Sequence, residues 1–380
     1  MTSRIGIDAS NIDNGGGLTH LVELLRTTHP DRHGFDKIYV WAPSATLAQI
    51  KEKPWIMKCS DPLLEQHYLQ RAFWQRKHLS QLLKFEKCDL LFVPGGSFAT
   101  DFRPVVTMNQ NLLPFEWREL LRFGLSRQTL RLMLLRFLQS RSLHHANGSV
   151  FLTKYAMAAV LKVTGEVSGA TTVVPHGLDT RFANPPRKPK PLESYCKQNP
   201  FQFLYVSSVD VYKHQWKVAG AVANLRMRGY PIALDLVGAA FPPSLKRLRR
   251  TMDKIDRAGA FVRYLGAEPH DELPARYASA DACVFASSCE NLPNILLEGM
   301  ASGLPIACSD RGPMPELLGD AAVYFNPELQ SSIEEALERL LNSSELRYNL
   351  AKKTYQLSQK YTWDKCADQT FDFLSQCIRS

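Results

Sequence analysis

Two carboxylates, Glu290 and Glu298, stand with seven residues between them where a short apolar run meets a helix signal. Ala282 to Ala286 has the length and flanks of a buried strand. The polar loop Ser287-Ser288-Cys289-Glu290-Asn291-Leu292 follows, and Pro293 suits the first position of a helix, where its missing N–H is not needed. The helix is expected over 294–302, ending at Gly303, and Pro305 opens a second apolar strand to Cys308. In such a strand–loop–helix–strand unit the helix N-terminus offers free N–H groups to an anion. A carboxylate is a poor neighbour for a phosphate but a good acceptor for sugar hydroxyls. Glu298, inside the helix, leans back toward its N-terminus. Both glutamates can therefore reach one ligand that carries phosphates and sugars. The spacing alone favours the plainer reading, a surface Glu and a helix-start Glu.

The order of residues around the pair is more specific. Glu290-x7-Glu298 runs into Gly299-Met300-Ala301-Ser302-Gly303-Leu304-Pro305, and later come Pro315-Glu316-Leu317 and Gly319-Asp320-Ala321-Ala322. This block resembles the E-x7-E signature of the retaining GT-B glycosyltransferases of family 4, the glycosyl transferases group 1, of the kind that build O-antigen and other polysaccharides. The resemblance extends from about residue 200 to the end; over the first 184 residues it is confined to a glycine loop and one turn.

Composition sets the frame for these motifs. With 380 residues the chain is too long for one ordinary core and suits two domains; 45% hydrophobic and 22% charged residues describe a globular protein. No apolar run approaches the ~20 residues that span a bilayer. The first residues run almost directly into a strand without a signal-peptide pattern, so the expected location is cytoplasmic, peripheral on the inner face of the cytoplasmic membrane. Eight scattered cysteines, without a C-x-x-C pair or zinc spacing, read as reduced core residues. A formal charge of +9 favours an anionic partner: a nucleotide-sugar, an anionic membrane, or, in the absence of any recognisable module, least of all nucleic acid. No D-x-D occurs, and no metal or cofactor is expected.

In the first half, strand Ile5–Asp8 leads to the triplet Gly15-Gly16-Gly17 and an amphipathic helix over 18–28. A glycine-rich turn there permits close approach of a phosphate. By resemblance to the Gly-Gly loop of GT-B enzymes, Gly16 and Gly17 are donor-binding positions. Strands follow at 37–42, 89–93 and 105–108, with a helix over 69–83. Where many relatives end the fourth strand in a histidine near the reacting sugar, this chain has Asn109, which leaves a sugar hydroxyl contact but no histidine chemistry. Between 116 and 147, six arginines (118, 122, 127, 131, 136, 141) alternate with leucines, predicting helices with one basic face. That face is either a solvated side of a core helix or a surface that docks on anionic lipid headgroups. The turn Pro175-His176-Gly177-Leu178-Asp179 resembles the one that closes the first domain of the family, and His176 is given no catalytic role.

Pro185-Pro186-Arg187-Lys188-Pro189-Lys190-Pro191 holds four prolines and three cations and reads as a linker. Beyond it, strand Phe201–Val206 runs into Ser207-Ser208-Val209-Asp210-Val211-Tyr212-Lys213 and a helix over 216–227, then strands at 232–237 and 262–265. Relatives carry Gly-Arg after the first of these strands and a Lys a few residues on, both on the donor diphosphate. Here Lys213 matches the Lys, and Ser207 or Ser208 stands in place of the Arg.

The expected fold is therefore α/β, GT-B: two doubly wound Rossmann-like domains facing a cleft. An acceptor-binding domain would span 1–184, a linker 185–200, a nucleotide-sugar-binding domain 201–360, and a C-terminal helix over 361–380 would cross back to the first. The resemblance implies that Glu298 holds the ribose and Glu290 the donor sugar. Lys213, on the diphosphate, and Glu290 would each be catalytic residues, with Ser207, Ser208, Asn291, Leu292, Pro293 and Asn294 lining the donor and Asn109 a sugar contact. The reaction implied is transfer of a hexose, with retention, to a hydroxyl of a polyprenyl-linked glycan in bacterial surface polysaccharide synthesis, with GDP-mannose favoured over UDP-sugars. The alternatives are a catalytically inactive sugar- or membrane-binding GT-B scaffold, or an epimerase or phosphorylase of the same architecture.

Overall fold

The computed structural model describes residues 2–379 and divides into two units, residues 2–177 with 361–379, and residues 178–360. The first unit holds β1 (Ser3–Asp8), β2 (Phe35–Trp41), β3 (Ile56–Cys59), β4 (Leu90–Val93), β5 (Val105–Met108), β6 (Gly148–Phe151) and β7 (Ala170–Val173). They form one parallel sheet in the order β3-β2-β1-β4-β5-β6-β7. β4, β5 and β6 are buried at every position, as strands covered by helices on both faces must be.

The second unit holds β8 (Phe201–Val206), β9 (Ile232–Val237), β10 (Val262–Gly266), β11 (Ala282–Phe285), β12 (Ile306–Ser309) and β13 (Val323–Phe325), parallel in the order β10-β9-β8-β11-β12-β13. Each sheet grows in one direction from its first strand and then in the other. Each thus has a switch point, between β1 and β4 and between β8 and β11, where the loops after neighbouring strands part and leave a crevice.

The proline-rich stretch lies along the second unit. Asn184 N–H donates to Ala301 O (2.9 Å), Arg187 Nη1 to Ala278 O (2.6 Å), and the buried Arg347 guanidinium to Lys190 O (2.6 Å) and to the carbonyls of Leu340 and Leu341. The approach is so close at Gly303 (φ +62°) that a Cβ would fall 2.4 Å from Asn184 O. That glycine both ends the helix Asn294–Ala301 and admits the strap.

The last helix, Trp363–Arg379, belongs to the first unit, where His33 reaches Asp368 (3.3 Å) and Asp372 (2.8 Å) on it and Thr27 Oγ1 donates to Trp363 O (3.3 Å). All eight cysteines are free thiols; six are buried, Cys59 is half-buried, and Cys196 is exposed, so the reading of all of them as core residues fails at Cys196.

Candidate functional site

The switch point of the second sheet collects most of the chemistry-bearing residues. The loop after β8 and the loop after β11 leave adjacent strands and are tied together: Ser288 N–H donates to Tyr212 O (2.8 Å), and Ser288 Oγ lies 3.1 Å from His214 Nε2. Tyr205 OH donates to Lys213 O (2.7 Å), fixing the backbone that carries Lys213. His214 takes up the left-handed region (φ +53°), uncommon without glycine, to start the helix Gln215–Met227. The result aims Lys213 inward. Its ammonium pairs directly with Glu290 and lies 5.0 Å from the Tyr212 ring. The two side chains are only 6% and 14% exposed, so each charge depends on the other. Lys213 and Glu290, separate expectations from the sequence, are one unit in the fold.

Glu298 lies inside the helix Asn294–Ala301, nearly buried, with Oε1 3.2 Å from His270 Nε2 and Oε2 accepting from Tyr277 OH (3.4 Å). Tyr277 also donates to Ile295 O (3.0 Å) in the first turn of that helix. Neither His270 nor Tyr277 was expected from the sequence, because what places them is the crossing of their segment under the helix. Burial and the Glu298 carboxylate push the Tyr277 phenol well above its usual range, so it stays a donor. The hydrogen bond to Glu298 raises the His270 imidazole above its ordinary 6.5. A group whose folded value is raised contributes stability that is complete below 6.5 and is lost as pH climbs through the folded value. Unfolding free energies measured against pH should therefore fall in the wild type, relative to H270Q, as pH rises from below 6.5 into the alkaline range. Parallel curves for the two proteins would remove the linkage.

The remaining lining positions fall at the same sheet edge. Ser207 is buried at the end of β8, its N–H donating to Val237 O (2.8 Å), while Ser208 is exposed. Beside them Gly238 (φ +144°) passes so close that a Cβ would sit 2.2 Å from Ser207 O, which keeps the ends of β8 and β9 tight around the crevice. Asn291 and Leu292 are buried in the loop. Pro293 precedes the helix as its N-cap instead of occupying its first position, so Asn294 begins the helix, and no side chain caps it. Its first N–H groups have no intrahelical partner.

In the first unit the glycine triplet is not a loop ahead of the helix. Gly15, Gly16 and Gly17 form the first turn of the helix Gly15–Thr27, which starts without a side-chain cap after the extended Asn14. Gly15 supplies the positive φ (+65°), and Gly16 is exposed. A Cβ on Gly17 would lie 3.5 Å from Gln110 Oε1, and Gln110 Nε2 donates to Pro94 O (3.1 Å), so the ends of β1, β4 and β5 converge. Asn109 is buried beside them and donates to Asn111 O (3.4 Å). His176 is buried, Nδ1 to Nδ1 at 2.8 Å from His20, against Trp363; burial holds His20 down to about 4 and His176 well below its usual value, so both are neutral. Among the described residues no group of three or more His, Cys, Asp or Glu is arranged to hold a metal ion, and no helix is long and apolar enough to cross a membrane.

Comparison with known proteins bears on the second unit first. Residues 190–357 match the family described as glycosyl transferases group 1. The chain is 30% identical over 112 residues to the O-antigen chain mannosyltransferase B of Escherichia coli, covering 30% of this chain and 29% of that protein. It is 31% identical over 181 residues to the GDP-mannose-dependent alpha-(1-6)-phosphatidylinositol monomannoside mannosyltransferase of Mycolicibacterium smegmatis, covering 45% of this chain and 46% of that protein. The matched stretches thus span under a third of the first relative and under half of the second. Along its whole length the fold is similar to that of a sucrose-phosphate synthase from Thermosynechococcus elongatus, with a TM-score of 0.76 at 16% identity and 98% of both chains covered. Residues 190–357 thus match a glycosyl transferases group 1 domain, within a chain of GT-B fold.

Proposed function

We propose that the protein transfers a hexose from a nucleotide-diphosphate sugar to a hydroxyl of a glycan acceptor, with retention of configuration. The observation that carries this reading is the Lys213–Glu290 pair at the β8/β11 switch point, beside an uncapped helix start, within the matched domain. Lys213 and the free N–H groups at the start of Asn294–Ala301 take the diphosphate, whose negative charge grows as the sugar leaves. Glu290 accepts from donor-sugar hydroxyls, and Glu298 from the ribose. The bond between the anomeric carbon and the β-phosphate oxygen breaks, the acceptor oxygen bonds to that carbon on the same face, and the acceptor proton passes to the departing diphosphate. No enzyme nucleophile enters, and no metal is needed in this scheme because the cations that meet the diphosphate are Lys213 and the helix start.

The acceptor is a polyprenyl-linked glycan of a bacterial surface polysaccharide, and the donor is GDP-mannose in preference to UDP-sugars; the O-antigen mannosyltransferase among the relatives supports a surface polysaccharide, and the GDP-mannose-dependent one supports the donor. Release of nucleoside diphosphate from a panel of GDP- and UDP-sugars, with and without glycan acceptor, tests the reading. Acceptor-dependent release from GDP-mannose is the expected result. Release from none of the donors, with nucleotide still bound, would favour a sugar-binding scaffold. Anomeric analysis of the product tests retention.

A further inference from the structure

The helix Arg127–His145 in the first unit buries only two of its large apolar residues, Leu132 and Leu143. Thr129, Gln139 and Ser142 are buried beside them, and Leu130, Met133, Leu134 and Phe137 face outward, with Leu130 68% and Phe137 65% exposed. The polar side is inward because its partners are backbone: Thr129 Oγ1 donates to Gly124 O, and Ser142 Oγ accepts from Phe98 N–H (3.0 Å). Gln139 packs against Gly96 in the same loop after β4. The helix is thereby clamped to the switch-point end of the first sheet.

The outward residues fall at i, i+3, i+4 and i+7, which is one continuous helix face. The preceding turn adds Leu121 (64% exposed) and Leu125, which is fully exposed. Arg127, Arg131 and Arg141 are exposed along the same face, and Arg136 lies over the Trp117 ring at 4.0 Å. Isolated exposed apolar residues are ordinary; six on one helix and its lead-in turn are not.

We propose that this face docks on an anionic phospholipid bilayer, with the leucines and Phe137 entering the headgroup–acyl boundary and the arginines on the phosphates. Charge complementarity selects this occupant. A second copy paired about a two-fold axis would bring the cationic set Arg127, Arg131 and Arg141 of one copy up to the same set of the other, whereas anionic headgroups neutralise all three. Arginine also suits the position, since its stem covers apolar surface while its planar head takes a phosphate bidentately. The clamp to the loop after β4 then holds the switch-point end of the first sheet at the bilayer surface. The inference rests on the exposed face and stands independently of the transfer reaction.

Co-sedimentation of the full chain with phosphatidylcholine vesicles, and with vesicles that also contain phosphatidylglycerol, tests it. Retention is expected only by the anionic vesicles and should fall as salt is raised. R127S/R131S/R141S should lower the partition coefficient about 100-fold. L130S/L134S/F137S should lower it at least about tenfold, with an unchanged thermal melt because the changed side chains are exposed. No retention by anionic vesicles at low salt would overturn the proposal. So would equal retention of wild type and both triple variants, or a wild-type dimer that L130S/L134S/F137S converts to a monomer.

Discussion

Replacing Glu298 by Gln is expected to weaken nucleotide binding about 100-fold and to lower kcat/KM for the sugar donor by at least as much. The side chain is 8% exposed and accepts from His270 and Tyr277 on one side, leaving its remaining lone pairs for a ligand at the switch point. A hydrogen bond from a sugar hydroxyl to a buried carboxylate contributes about 3 kcal/mol, and every 1.4 kcal/mol is a factor of ten. Gln preserves the shape and one acceptor oxygen but presents an amide where a ribose hydroxyl would donate. Two measurements separate this from a folding defect. Isothermal titration with GDP or UDP alone reads ribose and diphosphate contacts without chemistry, and denaturant unfolding of E298Q above the raised folded value of His270 should match wild type within about 1 kcal/mol. Wild-type affinity for both nucleotides in E298Q would withdraw Glu298 from the donor site.

That prediction was open to the sequence because its carriers are local. A strand, a loop, two glutamates and a helix closed by Gly303 lie within one short segment, and local order is what residue patterns encode. His270 and Tyr277 were invisible for the opposite reason: their contact with Glu298 depends on the segment after β10 passing under a helix some twenty residues later. The same limit applies to Lys213 and Glu290, each marked separately, whose pairing across 77 positions is a product of β8 lying beside β11.

Where elements were missed, burial was thin. The helix Pro242–Ile255 was missed although Leu245, Leu248, Met252 and Ile255 recur at helical spacing; it buries only Ser244 and Leu248 and carries a run of cations. The edge strand β3 (Ile56–Cys59) buries a single residue. The glycine triplet was read as a loop on propensity, yet it opens the helix itself, with only Gly15 at a positive φ. In the Arg127–His145 helix the arginine spacing was legible, but the inward turn of Thr129, Gln139 and Ser142 follows from carbonyl and N–H partners that only the fold supplies.

The Lys213–Glu290 pair offers the larger test, because stability and activity should part company there. K213M leaves the Glu290 carboxylate nearly buried without its counter-charge, and breaking one side of a buried pair costs about 3–5 kcal/mol. E290Q strands the ammonium in the same way. The double variant K213M/E290Q removes both charges together, so it should recover most of the stability lost by either single change, a coupling that denaturant unfolding of all four proteins reads directly. Turnover should not recover with it. Lys213 is the cation assigned to the leaving diphosphate, and removing one pre-positioned donor to developing charge lowers kcat about 100- to 1,000-fold. A K213M/E290Q protein that folded like wild type and also turned over like wild type would reduce the pair to a structural strut between the loops after β8 and β11. One that regained stability and stayed inactive would separate the two roles: in the free protein each charge satisfies the other, and on binding the donor must exchange that pairing for its own, Lys213 turning to phosphate and Glu290 to sugar hydroxyls.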